Sequence, residues 1–253
     1  MWNNKTVSVV LTSYREKDSI RSVIESFFSV PYVDEVVVVD NNAESGSIEE
    51  VRKTKARLVF EKRQGHGWAL QRGLREASGD YIFTAEGDGT FQGTDAIKFL
   101  SYINDVPVVF GTRTENSTME RGALGIGMWG KFRKWADVGE AKIIEFLFSS
   151  NRLTDVGCTF SLIRKDVVSA LDNRWLKGGS YFVTEMRLQV AAAQIPFVEI
   201  PVVFQRRLLG KSYVVDTRIK LAKEGIKMLF FIFEFWLRAK IFRKKQFGPI
   251  KIS

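Results

Sequence analysis

The chain has 253 residues, of which 45% are hydrophobic and 26% charged, so it can build an ordinary buried core and wholesale disorder is excluded. A single cysteine, Cys158, excludes an internal disulfide framework and a CxxC metal site. The amino terminus shows no secretory-signal pattern, and no run of about 18 uncharged apolar residues predicts a transmembrane helix.

The net charge of +9 is concentrated near the carboxyl end of the chain. Residues 205–253 carry 13 Lys and Arg against 3 Asp and Glu, so the rest of the chain is almost neutral. A nucleic-acid-binding protein can show such an excess. Here the basic residues alternate with bulky apolar ones, as at a membrane surface, and we expect no nucleic-acid partner.

Short apolar runs alternate with helical patterns through the first half of the chain. The predicted strands are 7–11, 36–39, 58–60, 81–85 and 106–110. The predicted helices between them are 19–28, 68–77 and 95–103. Several strands are apolar throughout, as in a parallel sheet that is buried on both faces. This order predicts a single Rossmann-like α/β domain with a mostly parallel central sheet.

Polar residues follow three of these strands. The strand ends read Thr12-Ser13-Tyr14-Arg15-Glu16, Asp40-Asn41-Asn42 and Glu86-Gly87-Asp88-Gly89-Thr90. In such sheets, ligands bind beyond the carboxyl ends of the strands. A single polar end is typical of any loop, but three at one edge predict a ligand crevice.

Glu86 and Asp88 place two carboxylates one residue apart at the end of the fourth strand. Such a pair can bind a divalent cation, with oxygens of a diphosphate completing the coordination shell of the ion. Gly87 would let the backbone come close to the diphosphate. The alternative is an ordinary acidic turn, because an isolated ExD has little specificity. Asp40 and Glu16 can accept hydrogen bonds from a nucleoside, or can cap a turn or a helix.

Two glycines, Gly65 and Gly67, precede a predicted helix. They form a weak candidate for an anion-binding helix terminus, with a plain loop as the alternative. His66 between them is the only histidine. No Ser/His/Asp arrangement supports a catalytic role for it, so we interpret it as a loop residue.

Residues 218–245 have a helical pattern with an apolar, aromatic centre over 228–237. This centre is too short to cross a membrane and is interrupted by Glu234. Lys and Arg flank it on both sides, as in an interfacial helix attracted to anionic lipid head groups. The alternative is a helix that packs this face on the rest of the protein or on a second subunit.

Six segments of the chain together resemble a known family. They are VSVVLTSYREKDSI, VDEVVVVDNN, RQGHGWALQRGLREASGDYIFTAEGDGT, VVFGTR, LTDVGCTFSLIRKDVV and VEIPVVFQRRLLGKS. Their order is similar to that of family 2 glycosyltransferases with the A-type glycosyltransferase fold, most closely the polyprenol-phosphate (dolichol-phosphate) mannose synthases. The resemblance implies a glycosyltransferase catalytic domain over residues 1–212 and a basic, aromatic-rich, amphipathic helical tail over 213–253.

The resemblance also implies roles for matching residues. Glu86, Asp88 and Thr90 fall on the family's metal site, with Mg²⁺ or Mn²⁺ as cofactor, and Glu86 replaces the first aspartate of its DxD. The residues implied in donor binding are Thr12, Tyr14, Glu16, Asp40, Gly65, Gly87 and Ser212. The residues implied in catalysis are Asp88, Glu185, Arg113, Arg133 and Arg207.

The three arginines, Arg113, Arg133 and Arg207, would bind the donor diphosphate or an acceptor phosphate, since a guanidinium fork matches phosphate oxygens. Surface ion pairs are the alternative. Glu185 is the candidate general base for a hydroxyl acceptor, or else a structural carboxylate that orients an arginine. A lipid phosphate is already an anion and could attack without a base.

The implied function is transfer of a hexose, with inversion, from a GDP- or UDP-sugar to a polyprenyl phosphate or lipid-linked acceptor. The protein would act peripherally at the cytoplasmic face of a membrane. One alternative is a transferase of the same fold that uses a polysaccharide or other hydroxyl acceptor. Another is a non-catalytic nucleotide-sugar-binding or membrane-scaffold protein.

Overall fold

The computed structural model describes residues 1–114, 128–207, 218–241 and 249–250, with the backbone alone for 128–133 and 218–221. The strands are β1 (Val7–Ser13), β2 (Glu35–Asp40), β3 (Arg57–Phe60), β4 (Tyr81–Glu86), β5 (Val108–Thr112), β6 (Ser161–Arg164) and β7 (Phe197–Pro201). The helices are α1 (Ile20–Phe28), α2 (Ser47–Arg52), α3 (His66–Glu76), α4 (Ala96–Tyr102), α5 (Met128–Phe148), α6 (Lys165–Leu171), α7 (Phe182–Ala192) and α8 (Arg218–Ile241).

The strands form one sheet in the order β3-β2-β1-β4-β6-β5-β7. Among the strands of the described ranges, only β6 runs antiparallel to its neighbours, and the other pairings are parallel. The predicted α/β domain with a mostly parallel sheet is confirmed, and the five predicted strands and three predicted helices are present. The sequence interpretation missed β6 and β7, which are short and lie in the second half of the chain.

The sheet is buried on both faces because side chains of the central strands alternate between two cores. Val10 and Val37 belong to the core beneath α3, α5, α7 and α8, whereas Val9 and Val38 belong to the core beneath α1 and α4. Helix α3 lies very close to the sheet: a Cβ on Gly73 would come within 2.1 Å of Val10 Cγ1. The continuously apolar strands follow from this double burial.

Helix α8 packs one of its faces into the first core. Phe231, Ile232 and Phe235 are buried there, and the Phe235 ring centroid lies 6.2 Å from that of Phe148 on α5. The Trp236 indole donates a hydrogen bond to the Leu147 carbonyl at 3.1 Å. None of the helices in the described ranges is long and apolar enough to cross a membrane.

Candidate functional site

The parallel register brings the polar strand ends to one edge of the sheet. Ser13 of β1 pairs with Asp40 of β2, and Thr12 of β1 pairs with Glu86 of β4. Because β1 lies between β2 and β4, all three strand ends meet at its carboxyl end. The predicted convergence is therefore present in the structure.

Gly87 is fixed by close packing between β1 and α1. Its N–H donates to the Thr12 carbonyl at 3.3 Å, and its own carbonyl accepts a hydrogen bond from the Ser19 hydroxyl at 2.8 Å. A Cβ at this position would lie 2.6 Å from Ile20 Cδ1 and 3.0 Å from the Thr12 carbonyl oxygen. A side chain would therefore displace the turn that separates Glu86 from Asp88.

Each of the two carboxylates has one oxygen held by a neighbouring threonine. Asp88 Oδ1 accepts hydrogen bonds from the Thr90 amide at 3.0 Å and the Thr90 hydroxyl at 2.7 Å. Glu86 Oε1 accepts a hydrogen bond from the Thr159 hydroxyl at 2.7 Å. The orientation of both carboxylates is thus fixed from outside the pair.

The other two carboxylate oxygens face the same guanidinium, that of Arg207. Asp88 Oδ2 lies 2.8 Å from Arg207 Nε, and Glu86 Oε2 lies 3.7 Å from Arg207 Nη2. Asp88 is only 2% exposed, and no donor among the described residues is aligned for a hydrogen bond with its Oδ2. The ion pair with Arg207 is thus close but poorly directed, and leaves this buried oxygen with unused acceptor capacity.

Arg207 is placed there by the segment that follows β7. The Gln205 amide donates to the Thr90 carbonyl at 2.9 Å, and Phe204 forms an antiparallel bridge with Phe91. This pairing runs the segment alongside the loop after β4. A residue far from Asp88 in the sequence is thereby brought to its carboxylate.

Electrostatics at the pair favour a bound cation. Burial, followed by the nearby charge of Glu86, raises the pKa of Asp88 to about 6. Carboxylate oxygens are the ligands that Mg²⁺ and Mn²⁺ prefer, and Asp88 Oδ2 has acceptor capacity to spare. The residues of the pair therefore fit a divalent ion, although the described part of the chain contains no group of three or more His, Cys, Asp or Glu side chains suited to one.

Glu16 and Asp40 stabilise the turns after β1 and β2. Glu16 Oε2 accepts hydrogen bonds from the amides of Tyr14 and Arg15, the latter at 2.6 Å, and burial raises the pKa of Glu16. Asp40 Oδ1 accepts a hydrogen bond from the Ala43 amide at 2.7 Å. Both carboxylates lie at the edge where a donor nucleoside is expected, and their turn contacts hold them there.

The interpretation of His66 as a loop residue is wrong. It is the first residue of α3, and its Nδ1 lies 3.4 Å from the Thr12 hydroxyl. Burial lowers the pKa of His66 to about 4, so the ring is neutral at pH 7. The preceding Gly65 adopts φ +146°, a conformation that favours glycine, and its amide donates to Asn41 Oδ1 at 2.8 Å.

The amino end of α3 is covered by the loop over residues 175–181. The Trp68 amide donates to the Gly178 carbonyl at 2.9 Å, and Gln71 donates to the Lys177 carbonyl at 2.8 Å. A Cβ on Gly178 would lie 1.8 Å from Trp68 Cε2, so the loop needs glycine at that position. The Trp68 N–H, at the amino end of α3, is thereby already engaged in a hydrogen bond within the protein.

Glu185 of α7 binds the backbone of the same loop. It is fully buried, and its two carboxylate oxygens accept hydrogen bonds from the Leu176 and Lys177 amides, each at 2.7 Å. Burial raises the pKa of Glu185. In this structure the carboxylate is thus engaged with backbone donors.

The other predicted phosphate ligands have different surroundings. Arg113 is buried, and its Nε and Nη2 each lie 2.8 Å from an oxygen of Asp155, so its charge is balanced within the protein. Arg133 lies in α5, where the structure gives its backbone position alone. Ser212 lies outside the described residues.

Three residues that shape this region were not predicted. Thr159 orients Glu86, Asn41 holds Gly65, and Asp155 pairs with Arg113. Asn41 could have been found because it directly follows Asp40. Thr159 and Asp155 precede β6, and only its pairing beside β4 brings them near the site.

Comparison with known proteins identifies the group to which the chain is similar. A dolichyl-phosphate hexose transferase of Haloferax volcanii is 22% identical over 202 residues, covering 79% of this chain and 83% of that protein. The glycosyltransferase AglJ of the same organism is 26% identical over 100 residues, which are 39% of this chain and 33% of AglJ.

Solved structures of glucosyl-3-phosphoglycerate synthase from Mycobacterium tuberculosis have the same fold. One, in complex with Mn²⁺, UDP and phosphoglyceric acid, has a TM-score of 0.67 at 16% identity and covers 90% of this chain and 78% of that one. Another, with Mn²⁺, UDP-glucose and phosphoglyceric acid, has a TM-score of 0.66 at 17% identity, covering 90% and 80%. The likeness confirms the expected A-type glycosyltransferase fold.

The family model Glycosyl transferase family 2 matches residues 8–171, more than half of the chain. This range extends from the second residue of β1 through β6 and includes both carboxylates of the Glu86–Asp88 pair. The chain is therefore a glycosyltransferase that belongs to glycosyl transferase family 2.

Proposed function

We propose that this enzyme transfers a hexose from a GDP- or UDP-sugar to a polyprenyl phosphate or lipid-linked acceptor, bound peripherally at the cytoplasmic face of a membrane. The observation that carries the proposal is the convergence of Glu86 Oε2 and Asp88 Oδ2 on one cationic position at the end of β4. The relative named as a dolichyl-phosphate hexose transferase supports the lipid-phosphate acceptor. The synthase complexes with UDP-glucose and Mn²⁺ support a nucleotide-sugar donor and a metal.

Glu86 and Asp88 would hold Mg²⁺ or Mn²⁺, with Thr90 orienting Asp88. When bound, the ion neutralises charge that develops on the departing nucleoside diphosphate. Arg207, which pairs with both carboxylates in this structure, would pair with the donor phosphates instead once the metal is bound, since its fork can bind two oxygens. The remaining residues that we assign to donor binding are Thr12, Tyr14, Glu16, Asp40, Gly65, Gly87 and Ser212.

The reaction is a direct displacement. The acceptor oxygen bonds to the anomeric carbon as the bond to the donor phosphate oxygen breaks, and the electron pair leaves with the nucleoside diphosphate. A phosphate acceptor brings its own negative charge, whereas a hydroxyl acceptor needs a base. Because Glu185 is buried and accepts two backbone hydrogen bonds, the geometry favours the phosphate acceptor over the hydroxyl one.

A donor and acceptor screen tests the proposal. GDP- and UDP-hexoses are offered with polyprenyl phosphate, with a lipid extract and with polysaccharide, each with Mn²⁺ or with EDTA. We expect a metal-dependent glycolipid. Glu185→Gln removes one of the two acceptors of the loop amides, so thermal unfolding first checks that the variant is folded. We then expect it to retain most transfer to polyprenyl phosphate. Transfer to hydroxyl acceptors alone, abolished by Glu185→Gln, would establish the alternative enzyme; absence of any donor turnover would favour a non-catalytic binding protein.

A further inference from the structure

Helix α8 is apolar on two sides, and within the described residues only one of them is covered. Its inner side is buried in the core through Phe231, Ile232, Phe235 and Ala239. Its outer side carries exposed apolar side chains spaced three or four residues apart, as on one side of a helix. These are Ile226, Phe230, Phe233, Leu237 and Ile241, with exposed fractions of 54%, 73%, 45%, 51% and 71%. We call this set the outer stripe.

The outer stripe is a row of neighbouring apolar side chains, whereas exposed apolar residues on an ordinary protein surface are scattered singly. Contiguous exposed apolar patches of this kind mark protein or membrane interaction sites. Helix α5, which packs beside α8, exposes two more large side chains, Trp135 and Phe146, at 74% and 84%. A partner that covers these rings would be stabilised by removing their apolar area from water.

The charges around the outer stripe identify the chemistry of that partner. Lys223, Lys227, Arg238 and Lys240 are exposed on α8. Lys227 and Arg238 pair with Glu224 and Glu234 on the same helix. The last 49 residues of the chain carry 13 Lys and Arg against 3 Asp and Glu, so a net positive charge remains at this end. Two copies of this surface brought face to face would repel each other. An anionic lipid surface would neutralise the lysines and accept the aromatic rings at the boundary between head groups and acyl chains.

We propose that the outer stripe of α8 docks on an anionic membrane surface while its inner side stays packed in the core. This deepens the proposed function by naming the surface that contacts the membrane, and it rests on that function only for the choice of a lipid partner. Membrane contact here does not require α8 to leave the domain. The sequence offered two alternatives for this helix, contact with a membrane or packing on the rest of the protein. In this proposal the outer side makes the first contact and the inner side makes the second.

A short chain of contacts connects this helix to the crevice. The Phe231 ring, on the inner side of α8, stacks on Tyr181 with a centroid distance of 5.6 Å and an interplanar angle of 13°. Tyr181 ends the 175–181 loop, which contacts the amino end of α3 through Gly178 and Trp68. Through these contacts the inner side of α8 is linked to the amino end of α3, whose first residue, His66, lies beside Thr12 at the crevice.

Vesicle co-sedimentation of the full chain, without donor or metal, tests this docking. Phosphatidylcholine vesicles are compared with vesicles that also contain phosphatidylglycerol. We expect binding to the anionic vesicles, weakened about a hundredfold by Phe230→Ser with Phe233→Ser. We expect Lys223→Gln with Lys240→Gln to weaken it about tenfold or more.

The matched control is Ile97→Ser with Tyr102→Ser, which removes two exposed apolar side chains from α4 and should leave vesicle binding unchanged. Thermal unfolding checks that every variant is folded. Equal binding by the stripe variant and the unmodified chain would overturn the proposal. The proposal would also be overturned if the chain bound neither vesicle type and formed a dimer in solution that dissociates in the variant with Phe230→Ser and Phe233→Ser.

Failure of docking can be told apart from failure of the proposed function. Transfer is measured separately with a short-chain, water-soluble polyprenyl phosphate. The stripe variant should keep this transfer while losing vesicle binding. Vesicle binding without transfer of any sugar would overturn the proposed function and leave the docking surface in place.

Discussion

Arg207 occupies the position between Glu86 and Asp88 that a metal ion would take. Its Nε lies 2.8 Å from the buried Asp88 oxygen that has no aligned hydrogen-bond donor among the described residues. A divalent ion and a guanidinium compete for the same oxygens, because both are cations. The arginine would therefore have to move aside as the metal binds, and the donor phosphates offer it new partners.

We predict that Arg207→Ala raises the affinity of the free enzyme for Mn²⁺ by about tenfold, since a competing charge is removed. The measurement is a calorimetric or spectroscopic Mn²⁺ titration without donor. Arg206→Ala, at the exposed neighbouring position, is the control and should not change the affinity. Unchanged or weaker Mn²⁺ binding by Arg207→Ala would show that the arginine does not compete with the ion.

At the scale of helices, α5 and α8 meet around a buried acid. Glu140 of α5 is 7% exposed, and its Oε1 lies 3.9 Å from where a Cβ on Gly225 of α8 would be. Burial, and then the nearby Asp137, raise the pKa of Glu140 to about 8 from its ordinary value of 4.5. Between these two pKa values, the Glu140 carboxyl is therefore protonated in the folded state and ionised in the unfolded state.

This pKa shift predicts a loss of stability with rising pH. Between about pH 4.5 and pH 8 the folded state binds more protons than the unfolded one, so the free energy of unfolding falls as pH rises. Glu140→Gln cannot ionise and should raise stability near pH 7 by up to about 3 kcal/mol, flattening this fall. Urea unfolding between about pH 4.5 and pH 8 measures this change in the free energy of unfolding. The control is Glu25→Gln, at an exposed position, which should show the same decrease with pH as the unmodified chain.

The two sides of α8 should differ in their effect on stability. Phe235→Ala leaves a cavity in the core and should lower the free energy of unfolding by about 3–5 kcal/mol. Phe230→Ala, at a residue that is 73% exposed, should change it by less than about 0.5 kcal/mol. Chemical denaturation measures both. Equal losses would show that the outer stripe is covered in solution.

The elements differ in how far the sequence predicts them. Strands β1, β2, β4 and β5 are found from their apolar runs because burial on both faces leaves few polar residues in them. The edge strand β3, with Arg57 and Phe60 exposed, is found from its short apolar run alone. Strand β6 has only four residues, and β7 contains Glu199 and ends at Pro201, so neither has a clear pattern. The sequence also predicts an amphipathic tail, but it cannot tell which side of α8 faces the core, because both sides are apolar.

The site shows the same limit at the scale of the whole molecule. Convergence of Thr12, Asp40 and Glu86 is predictable, since carboxyl ends of parallel strands share an edge. The contact of Arg207 with Asp88 is not, because it depends on the pairing of the segment after β7 with the loop after β4. The engagement of Glu185 with two loop amides likewise depends on tertiary packing.

The domain combines a nearly neutral body with a basic end whose helix α8 is part of the core. The 175–181 loop connects the inner side of α8, through Tyr181 and Phe231, with the amino end of α3 beside the crevice. Under the proposed function, a water-soluble donor would enter the crevice and α8 would contact the membrane that carries the acceptor. The division into a catalytic domain over 1–212 and a tail over 213–253 stays a prediction, because its boundary lies outside the described residues. Within them, α8 packs its inner side into the core.

The most direct test of the central claim is release of nucleoside diphosphate from the sugar donor, in the presence of polyprenyl phosphate and Mn²⁺. Asp88→Asn should lower this rate by about a hundredfold or more, because the amide cannot neutralise and hold the ion as the carboxylate does. The exposed substitution Asp105→Asn should leave the rate unchanged. Turnover by Asp88→Asn equal to that of the unmodified enzyme would contradict the assignment of Glu86 and Asp88 as the metal site of sugar transfer.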